Sequence, residues 1–217
     1  KIKKINKVVS IHAAKGGVGK STLAFSISSC AALFGFKILA IDLDMQGNLS
    51  RAFGKLASDN KIFLDILKKE CTVKDAIKNV CPGIDLIPSS IRSAKLARYL
   101  LTEGKRVDKA YSKIINPLKE DYDLIIIDLP PSIDLSVCAA LLASDEAICP
   151  VTTDSFSKDG LDLTYVEFKD LMEDYKSDVS FKILLNNIDQ RTLIADKISN
   201  QIMGDKVYHS MIYPSFI

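Results

Sequence analysis

The chain has no tryptophan and only two histidines, and its five cysteines form no C-x-x-C pair. An odd set of scattered thiols, Cys30, Cys71, Cys81, Cys138 and Cys149, supplies neither a disulfide framework nor a zinc site. Free thiols of this kind fit a reducing, cytoplasmic setting. His12 and His209 are isolated in the sequence and read as core or loop residues, not metal ligands. No apolar run approaches the ~18 residues of a membrane-crossing helix, so no membrane partner is expected. The lysine-rich start leads directly into an apolar strand and does not have the shape of a signal peptide. Neither sign of charge dominates, since 29 Lys and Arg face 27 Asp and Glu, a net charge of +2. A polyanionic partner would therefore need a local basic patch. Internal repeats, low-complexity tracts and linkers are also lacking, which leaves one domain over residues 1–217.

What is present is an α/β pattern. Apolar residues make up 47% of the chain, enough for a core that stands without staples. Val8 to Ala13 reads as a buried strand, and Leu23 to Phe34 as an apolar-rich helix that Gly35 can stop. Between them runs Ala14-Lys15-Gly16-Gly17-Val18-Gly19-Lys20-Ser21-Thr22. A glycine loop between strand and helix turns successive backbone N–H groups toward one anion, and the helix N-terminus adds its own donors. In such a loop Lys20 reaches the β- and γ-phosphates and the Ser21 hydroxyl sits on Mg²⁺.

Further strands follow. Lys37 to Asp44 ends in two aspartates, Asp42 and Asp44, and Tyr122 to Asp128 ends in Asp128, then Leu129-Pro130-Pro131-Ser132. Ligands of open α/β sheets sit beyond the carboxyl ends of the strands, so these carboxylates are expected at the edge that carries the glycine loop. Asp128 stands in the Walker B arrangement, where a carboxylate beside Ser21 completes the Mg²⁺ shell. Ile84 to Ile87, Glu146 to Val151 and Phe181 to Leu185 read as strands. Helices are expected over 62–69, from Thr72 as N-cap, over 91–101, over 136–144 and from Lys158 onward. The whole predicts a mainly parallel twisted sheet with helices on both faces. Arg92, Lys95 and Arg98 recur near one helical turn, and Lys105, Arg106, Lys109 and Lys113 form a second basic cluster. Each reads either as a solvated face or as a DNA-backbone contact. Asn187 can either hydrogen-bond an adenine edge or form an ordinary Asn-Asn turn.

Lys15-Gly16-Gly17-Val18-Gly19-Lys20-Ser21-Thr22 resembles the deviant Walker A motif of the ParA/MinD ATPases. Asp42-Leu43-Asp44-Met45-Gln46-Gly47-Asn48 is similar to the D-x-D-P-Q-G-N switch I of ParA proteins, with Met45 where proline is usual. Asp128 to Ser132 is similar to the D-x-P-P-S switch II. Ile87-Pro88-Ser89 and the run Val207 to Pro214 resemble further family segments, the latter a late strand and a loop near the base that carries Pro214.

The resemblance implies a P-loop ATPase for plasmid or chromosome partition that hydrolyses ATP with Mg²⁺. Lys15 is then the lysine that enters the partner subunit's nucleotide site, and Asp44 the residue that positions the attacking water. The partners implied are a second copy of the chain in an ATP-bound homodimer, a ParB-like centromere-binding protein and non-specific DNA, with the protein on the nucleoid when ATP-bound. Family members usually carry further carboxy-terminal helices, which this domain over residues 1–217 is expected to lack. Three rivals stay open: a MinD-like division-site regulator, an iron–sulfur carrier ATPase, for which Cys138 would be the cysteine of interest, and a DNA-binding scaffold with a vestigial ATP site.

Overall fold

Every residue of the strand Leu124–Asp128 is buried, which requires cover on both faces of the sheet. The computed structural model describes residues 5–54, 60–152, 157–187, 191 and 193–214. Among these, seven strands form one sheet: β1 (Lys7–Ile11), β2 (Ile38–Asp42), β3 (Lys78–Cys81), β4 (Ile84–Ile87), β5 (Leu124–Asp128), β6 (Glu146–Val151) and β7 (Ser180–Leu185). Their spatial order is β3-β4-β2-β5-β1-β6-β7. Neighbours are parallel except for β3 and β4, an antiparallel pair at one edge.

Side-chain alternation sorts the strand residues into two cores. Ile38, Ala40, Leu124 and Ile126 face one, where α1 (Lys20–Leu33) adds Leu23 and Ala24 and α2 (Asn48–Ala52) adds Leu49. Leu39, Ile41, Ile125 and Ile127 face the other. That larger core is closed by α3 (Phe63–Leu67), α4 (Val73–Ala76), α5 (Leu96–Thr102), α6 (Val107–Ala110), α7 (Ser112–Ile115), α8 (Leu135–Leu142), α9 (Ser157–Tyr175) and α10 (Leu193–Met203). Tyr111, wholly buried between α6 and α7, stacks edge-on to Phe63 and shares a hydrogen bond with the Ser136 hydroxyl. This ties the 91–115 segment to α8, the helix that follows the Pro130-Pro131 loop.

The register places the site. Asp42 of β2 stands opposite Asp128 of β5, and Asp128 opposite Ile11 of β1. Three central strands thus end in one line, and the glycine loop leaves the sheet from that line. The Asp42 strand is shorter than its apolar run suggested, so Asp44 lies in the loop beyond it.

Two segments depart from the sequence reading. Ile91 to Leu101 is not one helix but a 3₁₀ stretch, Ile91–Lys95, followed by α5. Arg92 does not share an exposed face with Lys95 and Arg98: it pairs with the buried carboxylate of Asp65, which also accepts the Ile62 N–H at 3.0 Å. The late strand expected within 207–214 is a 3₁₀ turn, His209–Met211, and a single bridge from Ile212 to Ile183.

Candidate functional site

The glycine loop owes its shape to two left-handed residues, Gly17 at φ 77° and Gly19 at φ 88°, conformations that a side chain disfavours. Gly19 is doubly constrained. A Cβ there would stand 2.5 Å from the Asn186 amide nitrogen, which donates to the Val18 carbonyl at 2.8 Å. Asn186, at the end of β7, is therefore a clamp on the loop. The loop's other side is held by α9, where the Thr164 hydroxyl accepts the Ala14 N–H at 3.0 Å. Helix α1 then starts at Lys20 with Gly19 as its N-cap and no side-chain cap, so its first N–H groups have no side chain satisfying them.

Lys20 is 7% exposed and donates to the carbonyls of Ala13 and Lys15 at 3.2 and 3.0 Å. Burial lowers its pKa, while Asp128 and Asp44 pull the other way. Lys15 is half-buried, its side chain running past Gly160 in the first turn of α9. Gly16, Gly17, Gly19, Lys20, Ser21 and Thr22 form one wall of a cleft of about 410 Å³, whose other walls are Asp44, Gln46 and Asn48 on one side and Pro131 on the other.

The two aspartates of the 42–48 segment have separate duties. Asp42 is spent on backbone: one oxygen accepts the Ser50 N–H and hydroxyl at 2.8 and 2.6 Å, the other the Asp44 N–H at 3.1 Å. Burial pushes its pKa up to about 6. The Ser50 hydroxyl accepts the Ser89 N–H, and the Ser89 hydroxyl donates to the Asp44 carbonyl at 2.6 Å. That network holds the loop, and the Asp44 carboxylate, which accepts the Gln46 N–H at 2.9 Å, lines the cleft.

Asp128 is wholly buried, and both its oxygens lack a hydrogen-bond partner among the described residues. Burial, then the neighbouring Asp42 charge, pushes its pKa to about 8, against the pull of Ser21 and Lys20. An orphaned carboxylate beside a hydroxyl fits a hydrated divalent cation, which takes few protein ligands and keeps its waters. The described residues offer no cluster of three His, Cys, Asp or Glu for a fully protein-bound ion. Asp128→Asn should therefore raise stability in the absence of cation and nucleotide, by about 1–3 kcal/mol at pH 8.5. With a folded pKa near 8 and an ordinary value near 3.8, the wild type loses stability as pH rises through that window. The advantage of Asp128→Asn should thus grow from pH 5 to pH 8.5; thermal melts at both values check it, and equal melting at pH 8.5 would contradict it.

Of the other residues singled out by sequence, Val18 is buried beneath the loop, while Asn187, at φ 54°, and Pro214 are exposed. Neither lines the cleft. Cys138 is half-buried on α8, its thiol pushed up by burial, and is not poised as a ligand. Sequence reasoning missed Asn186 and Thr164, whereas His12 is the core residue it was read as. His12 is buried behind the loop with neither ring nitrogen hydrogen-bonded among the described residues, and burial together with the Lys20 charge drops its pKa to about 3. Its imidazole is neutral. Residues 188–190 and 192 of the segment after β7 lie outside the described residues.

Comparison with known proteins places this geometry among relatives. An AAA domain family model matches residues 6–181. The chain is 30% identical over 214 residues to the sporulation initiation inhibitor protein Soj of Bacillus subtilis, spanning 96% of this chain and 84% of Soj. It is 31% identical to the chromosome-partitioning ATPase Soj of Treponema pallidum, over 91% of this chain and 79% of that one. Among solved structures, a McdA–ATP complex from Cyanothece superposes with a TM-score of 0.86 at 22% identity, covering 98% of this chain and 84% of McdA, a likeness of fold. Among the described residues no helix is long and apolar enough to cross a membrane.

Proposed function

The chain belongs to the Soj/ParA family of partition ATPases, and from that premise we propose that it is an ATP-driven switch acting in plasmid or chromosome partition. The observation that carries this reading is the single cleft in which the glycine loop, Asp44 and Pro131 meet. ATP is the substrate. Its β- and γ-phosphates lie against the loop N–H groups and the N-terminus of α1, with Lys20 as the countercharge. Asp44 holds the attacking water in line with the γ-phosphate, because a weak nucleophile gains most from orientation. Ser21 and Asp128 would hold Mg²⁺, which would supply neutralisation of the phosphate charge. The uncharged His12 behind the loop leaves Lys20 as the nearby cation on that side.

Lys15 serves a second subunit in this proposal. Lys20 already occupies the ordinary P-loop position, and Gly16 and Gly17 beside Lys15 are exposed at the mouth of the cleft. A lysine offered across an interface to the partner's triphosphate makes dimer formation depend on ATP, and loss of the γ-phosphate lets the pair separate. In the ATP state the dimer binds DNA without base code and answers to a ParB-like partner, with the nucleoid as its location. The exposed Lys95 and Arg98 serve phosphate contacts, while Arg92, committed to Asp65, does not.

Phosphate release from ATP with and without Mg²⁺ tests the enzymatic half of this reading. Turnover in Mg²⁺ that chelation abolishes is expected, and metal-independent turnover or none would overturn it. The DNA half predicts binding to random duplexes with ATP and not with ADP, and a steep loss of affinity between about 50 and 200 mM salt. Equal binding in both nucleotide states, or affinity indifferent to salt, would count against it.

A further inference from the structure

Away from the phosphate cleft, α3 and the 103–114 segment enclose a second groove of about 550 Å³ that shares no residue with it. The groove is chemically two-layered. Ile66, Leu67 and the half-buried Ile114 line it with apolar surface, and the exposed Lys69, Lys105, Arg106, Lys109 and Lys113 rim it, against a single lining carboxylate, Glu103. In a chain whose net charge is only +2, five cations around one depression are a concentration and not a diffuse bias. Arg106 and Lys109 share Asp108 as partner, at 2.8 and 4.0 Å, and Lys105 lies 6.0 Å from the centre of the Tyr99 ring. Lys69 and Lys113 have no ion-pair partner among the described residues.

Lys69 carries an independent signal. It sits at φ 63°, two residues past the end of α3 and just after its C-cap Lys68, with its N–H on the Ile66 carbonyl at 2.9 Å and the Glu70 N–H on the Asp65 carbonyl at 2.8 Å. That is the helix-ending motif in which glycine is the usual residue, and a lysine there costs about 1 kcal/mol. The position spends stability and gains a cation on the rim of the groove.

We propose that this groove is a docking site for an acidic segment of a partner protein, anchored by one or two apolar side chains. The charge selects acidic residues, and the apolar lining selects an anchor between them. A DNA duplex fits less well: it presents phosphates on a convex rod and keeps its apolar thymine methyls inside the major groove, away from a concave apolar lining such as Ile66, Leu67 and Ile114. The polar rim around a desolvated apolar centre is the anatomy of a peptide site.

The test uses the full chain and a fluorescein-labelled synthetic peptide of glutamates flanking two leucines, read by anisotropy at moderate salt. Binding is expected, with a loss of roughly tenfold when Lys69→Gly and Lys113→Glu are combined. A similar loss is expected when serines replace the peptide's leucines. Because glycine suits the backbone at position 69, Lys69→Gly alone should melt no lower than wild type, and ATP turnover of the double variant should be unchanged. The proposal is overturned if the peptide does not bind, if the double variant binds it equally, or if the serine peptide binds as well as the leucine one. It is equally overturned if the double variant loses affinity for random duplex DNA and keeps its affinity for the peptide, since the groove would then belong to nucleic acid.

Discussion

Asp44→Ala is expected to bind ATP about as tightly as the wild type and to hydrolyse it roughly 10²–10³-fold more slowly. The reason lies in how the loop is held. Its anchors are the Asp42 carboxylate on Ser50 and the Ser89 hydroxyl on the Asp44 carbonyl, and none of these uses the Asp44 side chain. Removing the carboxylate gives up one hydrogen bond, from the Gln46 N–H, and the charge that lines the cleft. The loop should keep its place and the substrate its phosphate contacts; what disappears is the group proposed to orient water in the transition state. A group acting only there lowers kcat and kcat/KM together and leaves Kd alone. Nucleotide titration and single-turnover rates on the same preparation separate the two quantities. Wild-type turnover in Asp44→Ala would remove the assignment.

Lys20→Ala should fail one step earlier, losing nucleotide affinity by a hundredfold or more. Lys20 is the buried cation on the wall of the cleft, 7% exposed, with its ammonium between the Ala13 and Lys15 carbonyls and the Asp44 and Asp128 charges. A unit charge about 4 Å from a phosphate at a protein-like dielectric of about 20 is worth about 4 kcal/mol before desolvation costs are subtracted, and a hundredfold in affinity needs only about 2.7 of that. The fold should tolerate the change, because the side chain carries a burial penalty that its removal relieves. Calorimetric titration with ATP and a thermal melt of the nucleotide-free protein are the paired measurements. A protein that still binds ATP with wild-type affinity, or that loses affinity only because it has unfolded, would refute the placement of Lys20.

Much of this was legible in the sequence because the signals were local. The runs that became β2, β5 and β6 are predominantly apolar stretches bounded by charged or turn residues, and burial on both sheet faces is what such runs encode. Thr72 was readable as an N-cap and does cap α4, accepting the Asp75 N–H at 3.3 Å. The ordered motifs around Lys20, Asp42 and Asp128 gave the family, and the matching relatives bear it out. What escaped depended on distant partners. β3 is a four-residue edge strand, Lys78 to Cys81, with little apolar character of its own, and it exists because β4 offers an open edge. The 91–101 segment opens as a 3₁₀ stretch, in which Arg92 turns in to Asp65, and becomes α-helical only from Leu96. Between the adjacent asparagines at the end of β7, nothing local says that Asn186 clamps the glycine loop while Asn187 is exposed outside the cleft. That contact joins residues 168 positions apart.

The central claim, that ATP governs the association of two copies through Lys15, is tested most directly by mass. Light scattering on Asp44→Ala, in which hydrolysis is slowed, should give a dimer with ATP and a monomer with ADP. Adding Lys15→Ala should return the ATP sample to monomer while nucleotide still binds. A monomer in both nucleotides, a dimer in both, or a Lys15→Ala double variant that dimerises as tightly as Asp44→Ala alone would contradict the account.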